Sequence, residues 1–249
     1  MNLLISGTNA FYGYGGYGRY GYGFDWTYLL IIAGLVLSMI ASANVKSTFN
    51  KYSAMRSMSG MTGAMAAQRV LQYAGITDVR IERVSGSLTD HYDPRNKVLR
   101  LSDSTYGSNS VAAVCVAAHE CGHAIQHQVN YGPLVLRSTL VPAANFGSQL
   151  AWPVFFMGLI FSMSALTTLG IVLFSLAVVF QLVTLPVEFN ASSRAMRVLE
   201  TSGILGSTEL GAGRKVLNAA ALTYVASLAA SILQLLRLII LAGGRKRDD

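Results

Sequence analysis

Charged residues are scarce in this sequence. Asp, Glu, Lys and Arg make up 12% of the 249 residues, about half of the roughly 25% found in a typical soluble domain. Apolar residues make up 52%. The shortage of charge excludes an ordinary soluble domain and indicates a membrane protein.

Cysteine is nearly absent. Cys115 and Cys121 are six residues apart, so on one helix they point in different directions and cannot form a disulfide. Nothing in the sequence therefore implies an oxidising compartment, and both cysteines are expected to be small buried residues. Because Cys115 precedes His119 by one helical turn, a place for it beside the site described below stays open.

Acidic residues are outnumbered, and the net charge is +7. A basic chain can indicate nucleic-acid binding, but here basic residues flank apolar segments, where they orient membrane helices and contact anionic lipids. The lipid bilayer is therefore a predicted partner, and nucleic acid is not. The flanking residues are Lys46, Lys51 and Arg56 after the first apolar segment and Arg245, Lys246 and Arg247 after the last.

Two long segments have no charge at all. The first, 26–43, can form one transmembrane helix and is predicted to be a retained anchor, because about 25 residues precede it and lysines follow it. The second, 154–187, is too long for one helix across a hydrocarbon core of about 30 Å. Extended upstream to Arg137, it predicts a hairpin of two helices, about 138–162 and 166–187.

A third apolar segment, 216–242, has a polar stripe. The polar residues recur every three or four positions, which places them on one face of a helix. Arg237 in this stripe is expected to face protein or to reach the interface. Whether the segment spans the membrane or lies along the rest of the protein stays open. The stripe consists of Thr223, Ser227, Ser231, Gln234 and Arg237.

The polar region after the first apolar segment shows signals for a helix and then for strands. Thr62 can cap a helix that runs to Tyr73 and ends at Gly75. The period then changes to two in VRIERVSG and KVLRLS, which predicts a β region over about 78–102. The edge of the KVLRLS strand can pair with an extended peptide, and an ordinary structural hairpin is the alternative.

A further helix is predicted from Ser108 or Asn109 to about Gly132, and it contains AAHECGHAIQH at 117–127. This helix is apolar enough to resemble a membrane span. With two histidines and a glutamate at its centre, it is instead expected to be the buried active-site helix of a region seated against the membrane.

The helix contains an HExxH pattern, HECGH. His119 and His123 are four residues apart, so they face the same point one turn apart, as Zn²⁺ binding requires. Glu120 points beside that position and is expected to be the base that takes a proton from zinc-bound water. Cys121 and Gly122 are small and are expected to leave room for substrate.

A catalytic zinc needs a third protein ligand. His127 continues the same stripe, but on an unbroken helix it lies about 12 Å along the axis from His119, so a structural or supporting role is expected for it. Glu188 is the better candidate, because a hairpin returns the chain to the side that it left. Pro186 is expected to begin a new helix, with Glu188 in its first turn.

The segments HECGHAIQH, DHYDPRNKVLRLS and LPVEFNASSRA resemble the neutral zinc metallopeptidases of bacterial membranes, the YugP-type family. The resemblance covers nearly the whole chain from the first apolar segment onward. It implies that His119, His123 and Glu188 are zinc ligands and that Glu120 is the catalytic base. The motif order is also similar to that of HtpX-type membrane proteases, but Ser192 stands where their pattern has an aspartate beside a ligand histidine.

These signals predict a mostly α-helical integral membrane protein with a zincin-like HExxH helix, a small β region and about three or four transmembrane helices. Its segments are expected to be a disordered Tyr/Gly-rich tail (1–25), an anchor (26–43), a metallopeptidase region (44–137), a transmembrane hairpin (138–187), a helix with the third ligand (188–215), and an apolar helix with a basic tail (216–249).

The predicted function is a membrane-anchored endopeptidase that uses Zn²⁺ and Glu120 to hydrolyse protein or peptide substrates. One alternative is a protease that cuts within the bilayer, although no LDG-like aspartate motif accompanies HExxH. Another is a zinc-binding scaffold without turnover, against which an intact Glu120 argues. The positive-inside rule places the active site of this multi-pass cell-membrane protein in the cytoplasm, because Lys46, Lys51 and Arg56 follow the first span.

Overall fold

The structure, a computed structural model, describes residues 25–244. The tail expected to be disordered, apart from Asp25, and the basic residues at 245–247 lie outside this range. The described part contains, in chain order, α1 (Tyr28–Ser53), α2 (Gly63–Tyr73), β1 (Arg80–Val84), β2 (His91–Asp93), β3 (Val98–Ser102), α3 (Asp103–Tyr106), α4 (Val111–Gln128), α5 (Gly132–Ile160), α6 (Ser164–Thr201) and α7 (Ser207–Gly244).

The chain is a mostly helical membrane protein. Within residues 25–244, three helices are long and apolar enough to cross a membrane: α1, α6 and α7. The predicted hairpin corresponds to α5 and α6, which are joined by the short turn at 161–163. Helix α5 is not in the apolar group, because prolines and amide side chains lower the hydropathy of its middle part.

Small residues bring the two helices of the hairpin close together. A Cβ on Gly158 would lie 2.4 Å from the backbone nitrogen of Thr167, and a Cβ on Gly170 would lie 2.7 Å from the Cβ of Phe155. Such close backbone approach is the usual mode of helix packing in membranes, where apolar side chains gain little from leaving lipid.

Helix α7 runs antiparallel to α1 and packs against it. Near the start of α1, the buried Arg237 of α7 donates a hydrogen bond from Nε to Thr27 Oγ1 (3.2 Å) and lies 3.9 Å from Asp25 Oδ2. Its guanidinium also lies over the Tyr28 ring, 4.6 Å from the centroid. Arg237 therefore faces protein, as the polar stripe predicted.

The prediction that Pro186 begins a helix is wrong. Helix α6 continues through Pro186 and ends only at Thr201, so Glu188 lies far from any helix start. Proline is tolerated inside membrane helices because neighbouring helices and side chains can satisfy the freed backbone groups. Pro186 leaves the Leu182 carbonyl, four residues before it, without its helical donor. One residue after the proline, the Gln126 side chain of α4 donates to the Val187 carbonyl (2.8 Å) and so connects α6 with α4. Residues 188–215 are thus divided between α6 and α7.

The β region forms a three-stranded sheet in the order β1-β3-β2. Strand β3 pairs in parallel with β1 and antiparallel with β2. The expectation that the KVLRLS strand offers an edge to substrate is therefore wrong, because β3 is the central strand. The free edge next to α4 belongs to β2.

Helices α2 and α4 begin at capping side chains. Thr62 accepts a hydrogen bond from the Met65 backbone (3.3 Å) at the start of α2, and Gly75 follows its end with a φ of +70°. Ser110 accepts from the Ala113 backbone (3.2 Å) and starts α4 one or two residues later than predicted. These caps confirm the predicted helix over 62–73 and place the HExxH pattern inside α4.

Both cysteines lie in the hydrophobic core around α4 and are fully buried. Burial raises the pKa of the Cys115 thiol to about 12. Cys115 packs against Gly213 of α7, where an added Cβ would lie 2.4 Å from its sulfur. Cys115 is therefore a core residue and not part of the metal cluster described next.

Candidate metal centre

His119, His123 and Glu188 form a cluster with three possible metal ligands. One ligand atom from each residue lies within 4.8 Å of the other two. The Nε2 atoms of His119 and His123 are 3.3 and 3.5 Å from Glu188 Oε2. The histidines come from successive turns of α4, and the glutamate comes from α6, which packs beside it.

The separations and donor types fit zinc. Tetrahedral ligands at about 2.0 to 2.1 Å from zinc lie about 3.4 Å from each other. Glu188 is 3% exposed, and its Oε2 is buried without a hydrogen-bond donor among the described residues. A buried carboxylate oxygen without a partner is costly, so a cation bound here would satisfy it.

The Nδ1 atom of each ligand histidine is hydrogen-bonded to a polar side chain. His119 Nδ1 is hydrogen-bonded to Ser192 Oγ (3.0 Å), and His123 Nδ1 to Gln126 Oε1 (3.0 Å). The amide of the fully buried Gln126 is oriented by its Nε2, which donates to the Val187 carbonyl and to Asn190 Oδ1. Because Oε1 only accepts, His123 Nδ1 carries the proton and Nε2 is left to bind a metal.

Burial and the nearby charges shift the pKa of His123 in opposite directions. Burial lowers the pKa of this histidine, but the hydrogen bond to Glu188 and the charges of Glu120 and Glu188 raise it by more, so the net shift is upward. A metal that binds to this ring therefore competes with a proton.

Ser192 is expected to support the metal through His119. Its replacement by alanine removes the partner of Nδ1, so zinc affinity should fall by up to about 10-fold to 100-fold. The matched control is Ser193→Ala, one residue along α6 and exposed, which should leave zinc affinity unchanged. Equal zinc affinities for the two variants, measured by competition with a chelator, would contradict this role.

Glu120 lies beside the cluster and is not a member of it. Its Oε2 accepts a hydrogen bond from the backbone N–H of Tyr92 on the edge strand β2 (3.1 Å). The sheet thus holds this carboxylate at the mouth of the site. No local sequence pattern links β2 to α4, so this contact is not predictable from the sequence alone.

The other two histidines lie apart from the cluster. His127 Nδ1 is hydrogen-bonded to Tyr92 Oη (2.9 Å), and His91 is exposed next to Arg100. The geometry therefore agrees with the prediction that His127 has a structural or supporting role.

Arg137 lies next to the second carboxylate oxygen of Glu188. Its guanidinium nitrogen lies 3.7 Å from Glu188 Oε1, the oxygen that faces away from the histidines, and also lies over the Phe180 ring. The two carboxylate oxygens thus have different surroundings, with one directed to the histidines and the other to a cation from α5.

Two cavities meet at the cluster. One, of about 850 Å³, lies between β2 and the first turns of α5, and the other, of about 210 Å³, lies between α1 and α7. Both are lined by His119, Glu120, Glu188 and Tyr224. An extended chain can therefore lie across the cluster with a part in each cavity.

The expectation that Gly122 leaves room for substrate is wrong. A Cβ at this position would lie 2.4 Å from the Ala191 carbonyl oxygen of α6. Cys121 likewise points into the core, with its sulfur 3.6 Å from the Ala67 carbonyl. The small residues within HECGH therefore allow α4 to approach α6, which carries Glu188.

Gly122→Ala should separate the two helices that supply the ligands. We expect a loss of about 1–3 kcal/mol in the free energy of unfolding, together with a clear loss of bound zinc. Gly211→Ala on α7 is the control, because an added Cβ there meets nothing within 4 Å. Zinc content and melting temperature that are the same in both variants would show that the close approach is not needed.

Comparisons with known proteins identify a family for this chain. Residues 27–243 match the model of the family described as "Putative neutral zinc metallopeptidase". The chain is also 50% identical over 212 residues to "Putative membrane protease YugP" of Bacillus subtilis (strain 168), covering 85% of this chain and 94% of that protein. No solved structure matches the chain. The family match covers most of the chain and includes both helices, α4 and α6, that contain the candidate ligands. This protein therefore belongs to the neutral zinc metallopeptidase family.

Proposed function

We propose that the protein is a zinc-dependent endopeptidase whose ligands are His119, His123 and Glu188 and whose base is Glu120. The observation that carries the proposal is the convergence of three ligand atoms from α4 and α6 beside a carboxylate that is not among them. That arrangement separates the metal-binding groups from the proton acceptor, as hydrolysis requires.

The residues around the cluster have distinct tasks in this proposal. Zinc, when bound, polarises the peptide carbonyl and lowers the pKa of water toward about 7. Glu120 takes a proton from the attacking water and passes it to the leaving amine. The Tyr92 N–H keeps Glu120 directed at the site, and Ser192 and Gln126 keep the two imidazoles in place.

The edge strand β2 is the proposed place for substrate. Asp90, His91 and Tyr92 line the larger cavity, and β2 has no strand on its outer side in the described sheet. An extended peptide can lie along this edge and donate to its main-chain carbonyl oxygens, while the Tyr92 N–H stays bonded to Glu120. This places the peptide beside Glu120, whose carboxylate is bonded to the same strand.

A comparison of new protein ends tests the proposal against a zinc-binding scaffold without turnover. A detergent extract that contains soluble and membrane proteins is incubated with the zinc-loaded full chain or with its Glu120→Gln variant, and new N-termini are identified by mass spectrometry. The peptidase predicts new termini only with the unmodified chain and none after chelation. Equal sets of termini in the two samples would favour the scaffold.

We also propose a multi-pass topology with the active site in the cytoplasm. The contact between Asp25 and Arg237 joins the start of α1 to the final part of α7, so these two helix ends lie together, away from the metal cluster. Fourteen of the 19 Lys and Arg residues lie between 46 and 215, on the side of the cluster. The positive-inside rule therefore favours a cytoplasmic cluster, with the start of α1 and the final part of α7 on the outer side.

Cysteine labelling in intact cells tests this topology. Lys97→Cys, on an exposed turn of the sheet region, should resist an impermeant thiol reagent, whereas Ser162→Cys in the α5–α6 turn should react. The native cysteines do not interfere, because both are buried. Rapid reaction at residue 97 with protection at residue 162 would reverse the topology.

A further inference from the structure

The packing of α1 against α7 supplies a scale for depth in the membrane. Gly34 of α1 is level with Ala230 of α7, because a Cβ on Gly34 would lie 3.1 Å from it. In this antiparallel pair, Lys46 lies twelve residues after Gly34 and Asn218 twelve before Ala230, so these two are level. Lys46 and the nearby Lys215 are the first charges beyond the uncharged parts of their helices. The exposed polar residues Ser42, Asn44 and Asn218 lie between these lysines and the last large exposed apolar side chains, Ile40 and Leu222.

The metal cluster lies below that level. Tyr224 lines both cavities together with Glu120 and Glu188. It is six residues beyond Asn218 on α7, about 9 Å at 1.5 Å per residue, and level with Ile40 of α1, where the large exposed apolar side chains begin. The lining of the smaller cavity thus extends from the level of Phe49 to roughly two helical turns beneath the level of Lys46.

The charges beside the cluster do not interrupt the apolar outer surface. Glu188 is buried and directed inward, and its neighbour Phe189 is 49% exposed; the next charge on α6 is Arg194. Arg137 of α5 is turned toward Glu188, and Leu136 before it is 49% exposed. Ser138 and Thr139, which follow Arg137 on α5, are exposed, so the outward-facing apolar surface at the level of the cluster belongs to α6.

The larger cavity extends from the aqueous side of the sheet to the metal cluster. Its upper wall includes Arg95 in the turn between β2 and β3, and its lower wall includes Pro142 of α5. Pro142 is five residues beyond Arg137 along the hairpin, about 7 Å farther from the sheet. A chain in this cavity passes from the aqueous side of the sheet down along α5 into the membrane.

We propose that the substrates are membrane-embedded polypeptides, cut within about two helical turns of the cytoplasmic membrane surface. This deepens the proposed peptidase function and rests on it. In such a substrate, one segment emerges from the membrane. This segment follows the larger cavity, unwinds beside β2 and presents its main chain to Glu120.

Depth can be measured without any activity. Phe189→Trp, in full-length protein with Trp26→Phe, Trp152→Phe and Glu120→Gln, places a single tryptophan on the lipid side at the level of the cluster. In vesicles, its fluorescence should be quenched by phospholipids brominated near the start of the acyl chains and not by iodide. Met58→Trp, at a position that is 90% exposed, is the aqueous control, and Leu35→Trp is the control for the bilayer centre. Iodide quenching at residue 189 equal to that at residue 58 would overturn the inference.

The position of the cut supplies the second test. A single-span reporter, made from a substrate found in the comparison of new termini, is placed in vesicles with the zinc-loaded chain. A second reporter has the same span but a spacer of about twenty residues that lifts the cleaved segment into water. We expect the spacer to slow cleavage by about tenfold or more, because the segment no longer reaches the catalytic geometry. Equal rates would overturn the inference and leave the peptidase intact, whereas no cleavage of either reporter would contradict the peptidase itself.

Discussion

Replacement of Glu120 by glutamine is expected to abolish hydrolysis and to leave about one zinc per chain. The carboxylate lies outside the group of metal ligands, and it is held by the Tyr92 N–H. Glutamine keeps a similar shape but cannot take a proton, so the rate should fall by about 10²-fold to 10⁴-fold. Zinc content and the cleavage rate of the same preparation are the two measurements.

Glu200→Gln is the matched control for this experiment. Glu200 lies on α6 as an exposed residue 3.9 Å from Arg214, in a surface ion pair that contributes little to stability. Its variant should keep both zinc and activity. If Glu120→Gln loses zinc along with activity, the glutamate is a ligand, and the division of roles between Glu120 and Glu188 is wrong.

Glu188→Ala is expected to lose zinc, whereas His127→Ala should retain most of it. Glu188 Oε2 faces both Nε2 atoms and is the anionic member of the cluster. Its removal should weaken zinc binding well beyond the roughly 10-fold to 100-fold change that is typical of residues behind the ligands. His127 contacts Tyr92 instead, so its loss should fall within or below that range.

Competition with a chelator measures both zinc affinities, and circular dichroism checks that each variant folds. Removal of Glu188 also leaves Arg137 without its partner, so Glu188→Gln is a useful second variant that retains the shape. Retention of zinc by both Glu188 variants together with its loss from His127→Ala would require a break in α4 after His123 and would refute this site.

Much of the site was predictable because its signals are either local or topological. The spacing of His119 and His123 follows from helix geometry within five residues. The position of Glu188 follows from a different argument, because an uncharged hairpin must return to the side that it left. The β region and the helix capped by Thr62 were also visible as changes of period and as capping residues.

The failed predictions concern contacts between distant segments. Pro186 resembles a helix start only by rules from soluble proteins, whereas α6 continues through it, as membrane helices can. The alternation of KVLRLS predicts a strand but does not predict which strands lie beside it. In the structure, β3 is the central strand of the sheet. Gly122 appeared to leave space for substrate, but its neighbour is the Ala191 carbonyl, 69 residues away in sequence.

The residues that are hydrogen-bonded to the ligand histidines were not predicted for the same reason. Ser192 occupies a position at which a carboxylate was thought missing, and its hydroxyl contacts His119 directly. Gln126 looked like an ordinary polar residue near the end of a helix, although it is fully buried and orients His123. Only the packing of α4 against α6 reveals these contacts.

X-ray absorption at the zinc edge of the full-length, zinc-loaded protein tests the central claim most directly. The account predicts two imidazoles at about 2.0 to 2.1 Å, with the remaining ligands all oxygen. The spectrum should be unchanged in His127→Ala. A sulfur ligand at about 2.3 Å, or a third imidazole that disappears in His127→Ala, would contradict the cluster of His119, His123 and Glu188 as the zinc site.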